Sequence, residues 1–304
     1  MFKLPDQIPT LRSSTQEWAD YAEYLALKSG QISLYNLVKR PMMVSDETIV
    51  SGIEDSTDRF NDKADEIAME IKKRKVISRE RYPYYAANLG YSINYERNDD
   101  QHNWIYRFLL LSTRLNMTNH KVQNGLDGTQ LFERLSAEVA KQFFGTNAEA
   151  DILGTSKAQA GGFRTKLKEL TKRIGEGGEP HNNAGYQPQD DNIDVILWKG
   201  FTDKQPSQII AFGQCKTGTS WSDRLSELNV DAFMKTWFSM HPVLTPIRMF
   251  FCAQYFPKEI WRPRANEAGL VFDRFRILDY LPESLPVDLM NDIKSWLLGA
   301  EALN

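Results

Sequence analysis

Two short apolar runs, at 193–198 and 208–216, follow one another in this sequence with amphipathic stretches before and after them, and that alternation most limits what the chain can fold into. Within the second run, Ile209-Ile210-Ala211-Phe212 is unbroken and reads as a central strand buried on both faces. The polar break between the runs holds Gly200 and Pro206 and can turn a hairpin. Upstream, Leu131, Leu135, Val139 and Phe143 recur at every fourth position and predict a helix over 131–144, closed by Gly145. Phe163, Leu167, Leu170 and Ile174 predict a second helix, and 175–192 is a Gly-, Asn- and Pro-rich loop. Downstream the pattern predicts a helix at 225–240, a strand at 248–254, a helix at 261–268, strand segments at 270–278 and a helix within 286–302. Strands separated by helices exclude an all-β or bundle architecture and predict an α/β fold.

The first part of the chain is patterned differently. Ser14 and Glu17 stand at capping-box spacing before Trp18, Tyr21 and Leu25, which predicts a helix over 14–28. From about Asp46, apolar positions through Ile71 recur every three to four residues and end on Lys72-Lys73-Arg74-Lys75, a long helix with a basic C-terminus and a candidate break near Ser56. Residues 79–95 mix arginines with five tyrosines around Pro83 and Gly90, a loop or short-strand signature, and a further helix closes the segment at Trp104–Leu115. Residues 1–118 therefore read as a mostly helical N-terminal domain and 119–304 as the α/β domain. The aperiodic stretch 116–129 marks the boundary.

Composition narrows the function. With 37 Lys and Arg against 40 Asp and Glu in 304 residues, the net charge of -3 excludes a protein that coats nucleic acid by bulk charge. Two cysteines, Cys215 and Cys252, and four histidines form no disulfide framework and no zinc-site spacing. The tryptophans read as core or interface residues, the cysteines as inert packing groups, and His181 as a surface histidine. No apolar leader or spanning run is present, which predicts a reduced, cytoplasmic protein away from the membrane. Phosphate loops, dinucleotide fingerprints and nucleophile elbows are absent, so nucleotide hydrolysis, dinucleotide binding and serine hydrolysis lack their usual marks.

The chemistry gathers at the strand ends. Asp194 opens the first strand and Gln214-Cys215-Lys216 closes the second, with Gln214 and Lys216 on one face and Cys215 on the other. A carboxylate, an amide oxygen and an ammonium are costly to bury unpaired and suit a hard cation with an attacking water. A lysine there can orient the water and stabilise its deprotonated form.

These residues resemble the PD-(D/E)xK nuclease superfamily, the restriction-endonuclease-like fold, in the QxK variant of Mrr-like enzymes. The likeness rests on Asp191-Asn192-Ile193-Asp194, a strand, and Phe212-Gly213-Gln214-Cys215-Lys216, with Gly128-Thr129-Gln130-Leu131-Phe132-Glu133 resembling the first core helix. It covers about residues 128–280, lacks the family's Pro beside Asp194, and carries a long insert before that residue. It implies an αβββαβ core, a mixed central sheet flanked by helices. It also implies Glu133 and Asp194 as Mg²⁺ ligands (Mn²⁺ substituting), Gln214 as a weaker ligand, the Cys215 carbonyl as a further one and Lys216 as the water-positioning residue. Gln214 removes one negative charge, so weaker metal binding than with Glu is expected.

Each role has a plain rival. Glu133 can be a solvated helix residue near Arg134 or Lys141, with Glu138 the next candidate, and Asp190 and Asp191 can be loop solvation. Arg164, Lys168 and Lys172, with Lys157, Lys166 and Arg173 nearby, can line a phosphate backbone or merely expose charge. Lys72, Lys73, Arg74 and Lys75, with Arg79, Arg81 and the following tyrosines, can hold DNA or complement a helix dipole.

The resemblance implies a metal-dependent DNA endonuclease leaving 5′-phosphate ends, in restriction or antiphage defence. Cutting both strands would need a homodimer or larger assembly, and residues 1–118 would meet a substrate, signal or protein partner of a defence complex. The alternatives are a non-catalytic nucleic-acid-binding or assembly subunit, and an effector silent until its N-terminal domain is engaged.

Overall fold

In the computed structural model, which describes residues 8–10, 12–44, 53–88, 91–115, 117–153, 160–182, 192–218 and 221–302, the first helix α1 (Thr15–Ser29) starts where the capping box predicts. The Ser14 hydroxyl accepts from the Glu17 amide at 3.2 Å, and the Glu17 carboxylate accepts from the Ser14 amide at 3.1 Å. The chain divides into two units, Met1–Leu126 with Asp292–Asn304, and Asp127–Asn291. The division thus falls eight residues beyond 118, and the end of the C-terminal helix belongs to the first unit.

In the first unit, β1 (Gln31–Ser33), α2 (Leu34–Val44), α3 (Ile53–Ser78), β2 (Tyr84–Ala87), β3 (Ser92–Tyr95) and α4 (Gln101–Arg114) follow α1. The strands form an antiparallel sheet in the order β1-β3-β2, with Tyr84 opposite Tyr95. The patterning anticipated the helices around this sheet, but not β1 or α2. The expected break near Ser56 does not occur, since α3 is continuous from Ile53.

The basic run at the end of α3 needs a correction. Arg74 lies on the face of Ile67 and Ile71 and is fully buried, its guanidinium 2.6 Å from Asp20, 2.7 Å from Glu23 and 3.1 Å from Glu70. Burial opposes its charge, but the Glu23 and Asp20 carboxylates outweigh that and push its pKa well up. Arg74 is buried as a structural cation held by these carboxylates, and its guanidinium is not presented at the surface. Lys72 and Lys75 remain exposed.

A short ribbon, β4 (Val122–Gln123) and β5 (Leu126–Asp127), turns through Asn124 and Gly125, both at positive φ as a two-residue hairpin requires. The second unit then runs α5 (Gly128–Phe144), β6 (Ala148–Ile152), α6 (Ala160–Ile174), β7 (Val195–Lys199), β8 (Ile209–Lys216), α7 (Val230–Trp237), β9 (Ile247–Cys252), α8 (Lys258–Ala268), β10 (Leu270–Phe272), α9 (Arg274–Asp279) and α10 (Val287–Glu301), whose last part lies in the first unit. The five strands form a mixed sheet in the order β10-β9-β8-β7-β6. β6, β7 and β8 are antiparallel neighbours, and β9 and β10 run parallel to β8. The fold class is α/β, as the alternation predicts.

Two elements differ from their patterning. Only 270–272 of the expected strand at 270–278 is extended, because Asp273 accepts the Arg276 amide at 3.0 Å and caps α9. The helix expected at 225–240 begins only at Val230, where Asn229 accepts the Ala232 amide at 3.0 Å. Leu225 and Leu228, which supplied the early periodicity, are buried from an irregular segment instead. Trp198, Trp221, Trp237, Trp296 and Cys252 are buried, in keeping with packing roles. Among the described residues no helix is long and apolar enough to cross a membrane.

Candidate active site

The register of the central strands positions the site. Val195 pairs with Gly213, Ile196 with Phe212 and Trp198 with Ile210, and Asp194, the residue before β7, donates its amide to the Gly213 carbonyl at 2.9 Å at the end of this ladder. On one face of this pair, Ile196, Trp198, Ile210 and Phe212 pack with Phe163, Leu167 and Leu170 of α6 and Phe233, Met234 and Trp237 of α7. That apolar cluster drives the pairing and fixes the register, because a slip by one residue would reverse every side chain. Gln214 and Lys216 continue the same face beyond the cluster.

At the strand ends the Asp194 carboxylate accepts from the Cys215 amide at 2.7 Å. Burial pushes the Asp194 carboxyl up to about 6, against the lowering effect of that bond and of Lys216. Burial also pushes the Cys215 thiol well up, and the Asp194 and Glu133 carboxylates add to it while Ser136 and Lys216 oppose. Glu133 is buried on α5, a helix started by the Asp127 side chain, which accepts from the Thr129 amide at 3.0 Å. Of the neighbours weighed beside Glu133, Lys141 pairs with Glu138 at 2.6 Å and Arg134 with Asp288 at 2.6 Å.

Glu227, which the sequence reading did not single out, completes the arrangement. Its Oε2 accepts from Gln214 Nε2 at 3.0 Å and from Lys216 Nζ at 3.1 Å, and its other oxygen pairs with Arg224. Burial pulls its carboxyl upward, but the bonds from Arg224 and Lys216 outweigh that and hold it below the ordinary carboxylate range. The remaining amide atom, Gln214 Oε1, is fully buried and has no hydrogen-bond partner among the described residues. An orphaned buried oxygen is costly unless something electropositive meets it.

The other cations read from sequence are engaged locally. Lys168 pairs with Glu179 at 2.9 Å, and the Arg164 guanidinium donates to the Pro180 carbonyl at 3.3 Å. Arg173 pairs with Asp151 at 2.9 Å and lies over the Trp198 ring, and Lys166 donates to the Ile152 carbonyl. Lys172 is exposed and Lys73 half-buried. His181 is exposed, while Lys157, Asp190 and Asp191 lie outside the described residues.

Among the described residues no three His, Cys, Asp or Glu side chains form a metal-holding group. Two carboxylates with an amide oxygen and a backbone carbonyl fall outside that definition. Comparison of the chain with protein-family models, curated proteins and solved structures gave no match.

Proposed function

We propose that residues 127–291 form a metal-dependent endonuclease that hydrolyses phosphodiester bonds of DNA, with Mg²⁺ as the cofactor and Mn²⁺ able to replace it. The observation that carries this reading is the unpartnered Gln214 Oε1, buried at the end of β8 next to Cys215, whose amide donates to Asp194, with Gln214 and Lys216 sharing Glu227. Two acidic side chains and a vacant amide oxygen are hard donors of the kind Mg²⁺ selects. Burial destabilises the Asp194 carboxylate as an anion, and a cation beside it would offset that cost. The donors present therefore fit the metal that the resemblance implies.

Asp194, Glu133 and Gln214 Oε1 would hold the ion, with the Cys215 carbonyl as a further donor. When bound, the ion supplies neutralising charge to the phosphate and acidity to a water. Lys216, whose ammonium is held by Glu227 at 3.1 Å, would orient a water by hydrogen bonding and favour its deprotonated form. The order of elements is compatible with the restriction-endonuclease-like core: helix α5, three antiparallel strands β6 to β8, helix α7, then β9 parallel to β8, with α6 as an insertion. A duplex break needs two such sites, which favours a homodimer or larger assembly on DNA.

Incubation of the purified chain with supercoiled DNA, chelator and metal add-back tests the proposal. It predicts cutting restored by Mg²⁺ or Mn²⁺, with 5′-phosphate ends. Cutting that persists in chelator, or ends of the opposite chemistry, would contradict it.

A further inference from the structure

The placement of Glu227 gives the amide at position 214 a reason. An ionised carboxylate only accepts hydrogen bonds, so the 3.0 Å contact with Glu227 Oε2 is made by the amide nitrogen of Gln214. That contact fixes which way the amide faces. It turns Oε1 away from Glu227 and leaves it as the buried, unpartnered oxygen of the site. The same Glu227 oxygen holds Lys216 Nζ at 3.1 Å, and Arg224 anchors the carboxylate from the other side. One acidic side chain, carried on the irregular segment before α7, therefore sets the orientation of two neighbours on β8.

We propose that Glu227 is the positioning residue of the candidate metal site, orienting Gln214 so that its oxygen serves the cation and holding Lys216 beside it. The inference rests on the endonuclease reading and deepens it. Partners that orient metal ligands typically contribute about 10- to 100-fold in metal affinity. The arrangement also reverses a simple expectation for Gln214→Glu. A glutamate at 214 would meet the Glu227 carboxylate where the amide now donates to it, so the substitution alone weakens the site instead of strengthening it. Moving the amide to the other partner, Gln214→Glu with Glu227→Gln, recreates the donor–acceptor pair between 214 and 227 with its polarity exchanged, while the amide nitrogen replaces the oxygen that accepted from Lys216 Nζ and leaves that lysine to turn to the new carboxylate at 214.

The test is a four-protein cycle on the full chain: wild type, Gln214→Glu, Glu227→Gln and the double exchange. Mn²⁺ affinity is measured by calorimetry and thermal stability by unfolding without metal. Each single substitution is expected to weaken Mn²⁺ binding about tenfold or more. The double exchange is expected to restore binding to within about threefold of wild type, a rescue larger than the scatter of additive sites. Additive losses in Mn²⁺ affinity, or tighter binding by Gln214→Glu alone, would overturn the inference while leaving the endonuclease reading intact. Coupling in thermal stability without coupling in Mn²⁺ affinity would reduce Glu227 to a structural partner and overturn it as well. Absence of Mn²⁺ binding by the wild type would remove the endonuclease reading, and the inference with it.

Discussion

Single side chains in this protein are decided by what surrounds their charge. Arg74 belongs to a run of four basic residues that looks solvated, yet its spacing of three from Ile71 and seven from Ile67 places it on the apolar face of α3. That signal was present in the sequence. The carboxylates of Asp20, Glu23 and Glu70 that make the position tenable come from tertiary packing and were not. Removing the guanidinium takes the shared cation from the buried Asp20, Glu23 and Glu70 carboxylates, so Arg74→Ala should cost about 3–5 kcal/mol in denaturant unfolding. Exposed Lys72→Ala should stay within about 0.5 kcal/mol.

Asp273 makes the opposite case. It is buried, and burial pushes its carboxyl up to about 6 although Arg276 and Phe256 amides and the nearby arginines oppose. The native state therefore holds a proton there more tightly than the unfolded chain. Its contribution to stability falls as pH rises from about 4, the ordinary aspartate range, to about 6, and is constant above. Asp273→Asn removes this fall, by up to about 3 kcal/mol, and adds a constant loss from the amide contact it cannot accept. Unfolding curves at pH 4, 5, 6 and 7 for the two proteins check the sign; parallel pH dependences would contradict it.

At the level of elements, the sequence was most legible where local chemistry and burial agree. The Ser14 box, the fourfold spacing in α5 and the apolar runs of β7 and β8 each announce their element, and each is found within a few residues of its expected place. Legibility failed where one polar residue divides an apolar stretch. Asp273 turns the second half of a strand-like run into α9, and Asn229 delays α7 while Leu225 and Leu228 still point into the core. The three residues of β1 are too few to carry a period. Asn229→Ala should therefore cost about 0.5–2 kcal/mol through loss of the helix cap, read in chemical denaturation. Because α7 begins three residues after Glu227, the same variant should loosen the Glu227 contacts with Gln214 and Lys216.

For the whole molecule, alternation of helices with strands was enough to give the α/β class, and the change of patterning near 120 marked a second unit, though not the return of the C-terminal residues to the first. The candidate site was half legible. Asp194, Gln214 and Lys216 come from one strand pair and can be related by alternation alone. Glu227 lies 11 residues beyond Lys216 on an irregular segment, and only folding brings its carboxylate to both. A net charge of -3 also means that any grip on DNA is local, and several of the candidate cations are already paired with Glu179, Asp151 or backbone carbonyls.

The proposed endonuclease requires Lys216 to act beside a metal held at the ends of β7 and β8. Its most direct test is cleavage of linear, supercoiled and single-stranded DNA with Mg²⁺ or Mn²⁺ by the wild type and by Lys216→Ala, purified identically and matched for folded fraction. Metal-dependent cutting is expected, falling by about 100-fold or more in the variant. Equal cutting by the two proteins, or none by the wild type on any of the three substrates, would contradict it.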